Sequence, residues 1–239
     1  MRTAPPHRWL ATVALGVGLV VVLAWGRWAF SLAPSILWPA NHGMAVSGGL
    51  SGGRSLAPWG PDGRTHSHVL AVLGRQYAHP AVYALLDEAF AEERAAMAQR
   101  RGHGVSRWRV AEVGWRAGGW FPPHLTHQDG LAVDVMTPLT TGRLPSWPHQ
   151  QLGYGIDLDE AGNHEGRSVD FERLAKMFDA VCTGAGRHGL IARQFIVWKP
   201  WHGKIKGRMR SSCRSALTEA RLPHDDHVHI TFTRRPGRD

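Results

Sequence analysis

Two short stretches constrain this chain more than anything else in it: 124-HLTHQDGLAVD-134 and 224-HDDHVH-229, far apart in sequence and together carrying five imidazoles. The segment His227-Val228-His229-Ile230-Thr231-Phe232 alternates in character. In a strand, successive side chains point to opposite faces. His227, His229 and Thr231 then share one face, and Val228, Ile230 and Phe232 share the other. The apolar face asks for a core and the imidazole face for a cleft. Leu131 to Met136 repeats the logic: Leu131, Val133 and Val135 fall on one side, and Asp134 on the other with Ala132 and Met136. A buried carboxylate needs a partner, because an unpaired buried charge is very costly. Gly130 permits a tight turn that brings His127 back towards Asp134, and His229 can complete a set of three.

Two imidazoles and a carboxylate, with a fourth position left to water, make the composition of a catalytic zinc site. Such an ion lowers the pKa of water and polarises a carbonyl, and an imidazole outside the ligand set can move protons. Either motif alone is weak in a chain with 15 histidines. The weight rests on finding both on strand patterns with the polar residues sharing a face. A third pair, His66-Ser67-His68, lacks a carboxylate in a strand pattern, and the expectation for it is a surface position.

His-x6-Asp followed far downstream by His-x-His resembles the signature of the lysostaphin, D-Ala-D-Ala peptidase and Sonic hedgehog zinc superfamily. Within it, the chain resembles the penicillin-insensitive murein endopeptidases. The segments that carry the likeness are 47-SGGLSGG-53, 75-RQYAHPAVYALL-86, 118-GGWFPPHLTHQDGLAVDV-135 and 224-HDDHVHITF-232. The resemblance implies zinc ligands His127, Asp134 and His229, and His227 as the residue acting on the zinc-bound water. It implies that His124 and His224 orient substrate or stabilise the tetrahedral intermediate. The carboxypeptidase branch usually places a glutamate three residues before the first histidine of His-x-His. His224 stands there, which favours the endopeptidase branch. Asp225 and Asp226 are out of that register and read as supporting or loop carboxylates.

The N-terminus carries an uninterrupted apolar run from Trp9 to Trp25, about 17 residues and roughly 25 Å as a helix. Tryptophans at both ends suit a membrane interface. The site Ser31-Leu32-Ala33 is followed by Pro34 and is a poor cleavage signal. Residues 1–30 are therefore expected to form an uncleaved transmembrane anchor in the inner membrane, with a cleaved signal peptide as the alternative and a periplasmic remainder. Residues 31–63, rich in Gly, Ser and Pro, read as a linker, and 64–239 as the zinc endopeptidase domain. Within the domain, helices are expected at His79–Arg100, with Pro80 at the first position and Gly102 as the stop, at Val169–Val181 behind a Ser168 cap, and around Ser215–Ala220. Strands are expected at Trp108–Val113, Leu131–Met136, Leu190–Trp198 and in the second histidine stretch. Lys199–Arg210 reads as a basic loop and 137–166 as an irregular insertion in which Trp147, His149 and Tyr154 either line a groove or pack. The expected class is α+β: a small central antiparallel sheet flanked by helices, hedgehog or D-Ala-D-Ala peptidase-like.

A formal net charge of +9 draws an exported protein to anionic wall polymers or lipid. Lys199, Lys204, Lys206, Arg208 and Arg210 with Trp198 and Trp201 could imitate a nucleic-acid surface, but an exported chain rarely meets nucleic acid, so no nucleic-acid partner is expected. Cys182 and Cys213 either pair in an oxidising compartment or stay as buried thiols. The expected activity, from the resemblance, is hydrolysis of D-alanyl-diaminopimelate cross-links in peptidoglycan. The alternatives are a catalytically silent zinc-containing cell-wall binding or assembly protein, and a D-Ala-D-Ala carboxypeptidase.

Overall fold

The computed structural model describes residues 49–56, 60–121, 124, 126–140, 157–220 and 224–236. The apolar run at 9–25 lies outside them, as do Trp147, His149 and Tyr154 and most of the Gly/Ser/Pro-rich segment. Among the described residues, no helix is long and apolar enough to cross a membrane.

The longest helix among the described residues, α2 (Pro80–Arg101), follows a short α1 (His68–Val72). Pro80 occupies its first turn, where no backbone donor is lost. His79 caps it, its Nδ1 accepting from the Ala81 amide at 3.2 Å. Gly102 ends it in the left-handed conformation. Val82, Leu85, Leu86, Ala89, Phe90 and Met97 bury one stripe in the core. Helix α3 (Phe171–Ala185) starts later than expected, and its cap is Asp170, not Ser168. Val169 is still extended, bridging Leu139, and the Asp170 carboxylate accepts from the Arg173 amide at 3.1 Å.

Six strands form the main sheet: β2 (Gly63–Thr65), β4 (Trp108–Val110), β5 (Ala132–Met136), β8 (Leu190–Trp198), β9 (Leu217–Ala220) and β10 (His227–Arg234). Their order is β2-β4-β5-β10-β8-β9. Two minor pairs join β1 (Arg54–Ser55) to β3 (Tyr77–Ala78) and β6 (Asn163–His164) to β7 (Arg167–Ser168). The sheet is mixed, not antiparallel as expected: β2 runs parallel to β4 and β9 parallel to β8. Helices lie between the partners of both parallel pairs in sequence, and a crossover of that kind delivers the second strand in the same direction.

The region after β8 departs most from the sequence reading. The expected basic loop is helix α4 (Lys199–Lys206), because Trp201 and Ile205, four apart, are fully buried while its lysines face outwards. The expected last helix is a 3₁₀ turn over Ser211–Ala216 followed by β9. Cys182 on α3 and Cys213 in that turn form a disulfide with Cα atoms 6.0 Å apart. His66 is buried at 4% exposure and not on the surface, because its amide donates to Val110 and prolongs the β2–β4 pairing inwards, whereas His68 is exposed.

Candidate metal centre

The centre of the sheet places the first two polar groups. Strand β10 runs antiparallel to β5 with His229 directly opposite Asp134. Directly opposed residues share a face, so the ladder itself brings imidazole and carboxylate together. His229 Nδ1 lies 2.7 Å from Asp134 Oδ1. His127 enters from the turn before β5. Gly130 makes that turn with φ +70, and a Cβ there would meet the His79 amide nitrogen at 2.6 Å. Only glycine fits both demands.

His127 and Asp134 have no exposed surface. The Nδ1 of His127 lies 2.9 Å from the Val113 carbonyl. A carbonyl only accepts, so Nδ1 carries the hydrogen and Nε2 presents a lone pair. That Nε2 faces Asp134 Oδ1 at 3.3 Å. Neither His127 Nε2 nor Asp134 Oδ2 has a hydrogen-bond partner among the described residues. With the His127 ring neutral, two acceptors face each other in a dry interior, which is costly; a proton or a metal cation between them removes the cost. Burial pushes the Asp134 carboxyl up, but His127, His229 and His227 outweigh it and hold it well below the usual carboxylate range. Asp134 is therefore ionised, as a ligand must be.

Ligand atoms of His124, His127 and Asp134 all lie within 4.8 Å of one another, close enough to hold one metal ion. Within the set expected from sequence, this grouping has His124 where His229 was anticipated. His229 nonetheless touches the same carboxylate, and its ring centroid is 4.9 Å from that of His127. Burial keeps the His229 pKa below the ordinary value despite Asp134. Its Nε2 lies 3.2 Å from the Thr126 hydroxyl and 3.1 Å from that of Thr231. Hydroxyls donate or accept, so either tautomer of His229 is accommodated, and Nδ1 can give up its hydrogen to serve as a ligand.

The remaining histidines ring this group. His124 sits 4.7 Å from His127, centroid to centroid. His227 shares the β10 face with His229, and His224 lies 4.9 Å from His227. His227 Nδ1 is 2.6 Å from Asp226 Oδ1, so it donates to that carboxylate. Burial pushes the His227 pKa down, but the Asp226 hydrogen bond and the charges of Asp134, Asp226 and Glu112 outweigh it and raise it. A divalent cation among these carboxylates opposes that pull. Asp225 accepts from the Leu158 amide at 3.0 Å and ties down the loop.

All six residues singled out in the sequence are thus brought to one end of β5 and β10. The sequence reading missed Glu112, Arg75 and Thr126. Glu112 did carry a signal: it is an acid inside the apolar run Val110-Ala111-Glu112-Val113, and a carboxylate in such a run needs a partner. A scan against protein-family models finds no match to the chain, and a search of curated proteins finds no relative.

Proposed function

We propose that the chain is a zinc-dependent peptidoglycan endopeptidase that hydrolyses peptide cross-links, the D-alanyl-diaminopimelate bond being the target that its sequence resemblance implies. The observation that carries the reading is the buried His127 Nε2 facing Asp134 with no hydrogen-bond partner among the described residues. Histidine and carboxylate donors accept several divalent metals, and zinc is the one that suits hydrolysis here. Bound among His127, Asp134 and His229 or His124, zinc supplies Lewis acidity for water and for the scissile carbonyl.

The chain's own groups supply the rest. Asp226 fixes the His227 ring, so Nε2 is the atom that takes a proton from the attacking water and returns it to the leaving amine. His224, beside His227, can donate to the carbonyl oxygen as charge develops there. A silent wall-binding protein needs ligands only, and an oriented, non-ligating His227 argues for chemistry. The disulfide favours an oxidising compartment, in keeping with export and with an inner-membrane anchor at residues 9–25.

The test is digestion of cross-linked muropeptide dimers by the zinc-loaded full chain in mild detergent, beside His227→Ala and with bound metal counted in both. Cleavage by wild type and none by a metal-retaining variant is the expected result. Zinc binding without cleavage in either indicates the silent binding protein. Release of terminal D-alanine from a pentapeptide monomer, with the dimer left intact, indicates the carboxypeptidase.

A further inference from the structure

The proposed mechanism makes no use of a charged pair beneath the histidine loop. Arg75 and Glu112 are 9% and 7% exposed, and the Arg75 guanidinium donates through Nε to Glu112 Oε1. The arginine is held from its other side by aromatic faces, 3.9 Å over the Phe121 ring and 5.0 Å from that of Trp115. Phe121 in turn stacks on His127 with ring centroids 5.3 Å apart. The pair is therefore fixed to the same frame that carries the site.

Glu112 does not spend both oxygens on Arg75. Its Oε2 lies 2.6 Å from His124 Nε2. Its other oxygen is paired with a guanidinium, which always carries its charge and only donates, so the group is an ionised acceptor. An ionised carboxylate cannot donate, so His124 Nε2 must carry the hydrogen. In the neutral ring the lone pair then belongs to Nδ1. A carboxylate behind a ligating imidazole has this effect in general: it fixes tautomer and ring orientation and raises ligand basicity.

We propose that Glu112, held in place by Arg75, is a positioning residue that locks His124 in the Nε2–H tautomer and leaves Nδ1 as the ring's ligand atom for the metal site. His124 is then a metal ligand available before substrate arrives, not a spectator on the substrate side. The tautomer follows from the contacts alone, while the effect on metal rests on the zinc-site reading given above. A buried ion pair serving only the fold would have no reason to extend its second oxygen to a half-buried imidazole in the ligand group.

The test reads the ring nitrogens directly. Long-range proton–nitrogen NMR correlations are recorded on the ¹⁵N-labelled full chain with metal removed, His124 being assigned by its loss in His124→Gln. Wild type is expected to show His124 as the Nε2–H tautomer. Glu112→Ala is expected to lose that preference and to bind zinc about 10- to 100-fold more weakly in a chelator competition, while the His127 and His229 ring signals stay in place. Glu112→Gln keeps an acceptor oxygen and is expected to restore the tautomer and most of the affinity. An Nδ1–H tautomer in wild type overturns the proposal without recourse to any variant. So does a Glu112→Ala protein with its His124 tautomer and zinc affinity both unchanged. A protein that meets these expectations yet leaves muropeptide dimers intact refutes the peptidase reading and keeps this one.

Discussion

Among the described residues, the buried cluster around Glu93 and the one around Asp134 differ in one respect. On the α2 side, Glu93 is clamped by Arg173, whose Nε lies 3.0 Å from Oε1, and it also accepts from the Trp108 indole at 2.5 Å. Arg173 completes its own bonding on Ser106, to the hydroxyl at 2.8 Å and the carbonyl at 2.6 Å. Both Glu93 oxygens are satisfied. At the other cluster, His127 and Asp134 are at least as deeply buried, yet each keeps an atom with no hydrogen-bond partner among the described residues. A satisfied buried network rigidifies a fold, while an unsatisfied one retained in a core asks what would satisfy it. The first cluster therefore reads as framework and the second as a site.

The sharpest way to break that contrast is to remove a group from each. His227→Ala takes away the proton-transfer imidazole and is expected to lower the cleavage rate by about 10²- to 10⁴-fold. Its thermal melting and metal content should match wild type, and a large fall in melting temperature would make the second cluster framework after all. Arg173→Ala leaves the Glu93 carboxylate buried without its partner and is expected to cost about 3–5 kcal/mol of stability, read by denaturant unfolding, with the activity of the folded fraction unchanged. Replacing the pair together, Glu93→Leu with Arg173→Met, should recover most of that loss, since an apolar pair of similar volume often substitutes for a buried ion pair. Failure of the double variant to recover would mean that the cluster specifies more than packing.

Metal removal sharpens the same point. A ligand that binds only the folded state stabilises it by about 2.7 kcal/mol at a hundred times its dissociation constant. A chelator is therefore expected to lower the melting temperature of wild type and to leave Asp134→Asn, which has lost a charged ligand, unaffected. An equal response in both proteins would place the metal elsewhere.

The difference between the clusters also marks what could be read from the sequence. The strand alternation of 227–232 and of 131–136 put His227, His229 and Asp134 on the polar faces of their strands, and the β5–β10 ladder joins those faces. Helix α2 was legible end to end because Pro80, Gly102 and a continuous apolar stripe are all local signals. The parallel strands were not, because their direction is set by how the intervening helices pack and not by any residue within them. Helix α4 was hidden by its lysines: the charge suggests a loop, and only the spacing of Trp201 and Ile205 contradicts it. Glu112 escaped because its partners Arg75 and His124 come from other segments, and periodicity carries no information about pairs made across the fold.

The smallest expected effect is the most specific. Glu93 and Glu112 are both buried glutamates paired with arginines, yet their carboxyls move in opposite directions from the ordinary 4.5. Burial dominates at Glu93 and raises it, whereas His124 and Arg75 together overcome burial at Glu112 and lower it. By linkage, a lowered carboxyl contributes stability that is present above its unfolded value and lost as pH falls through the folded one. A raised carboxyl does the reverse, its contribution shrinking as pH rises from the unfolded value towards the folded one. In metal-free protein, the stability gap between wild type and Glu112→Gln should therefore widen between about pH 3 and about pH 6. The gap between wild type and Glu93→Gln should narrow over the same interval. Urea unfolding at a few pH values in the presence of a chelator measures both. Two gaps that run in parallel would mean that the second partner on Glu112, the His124 ring, contributes nothing to holding its charge.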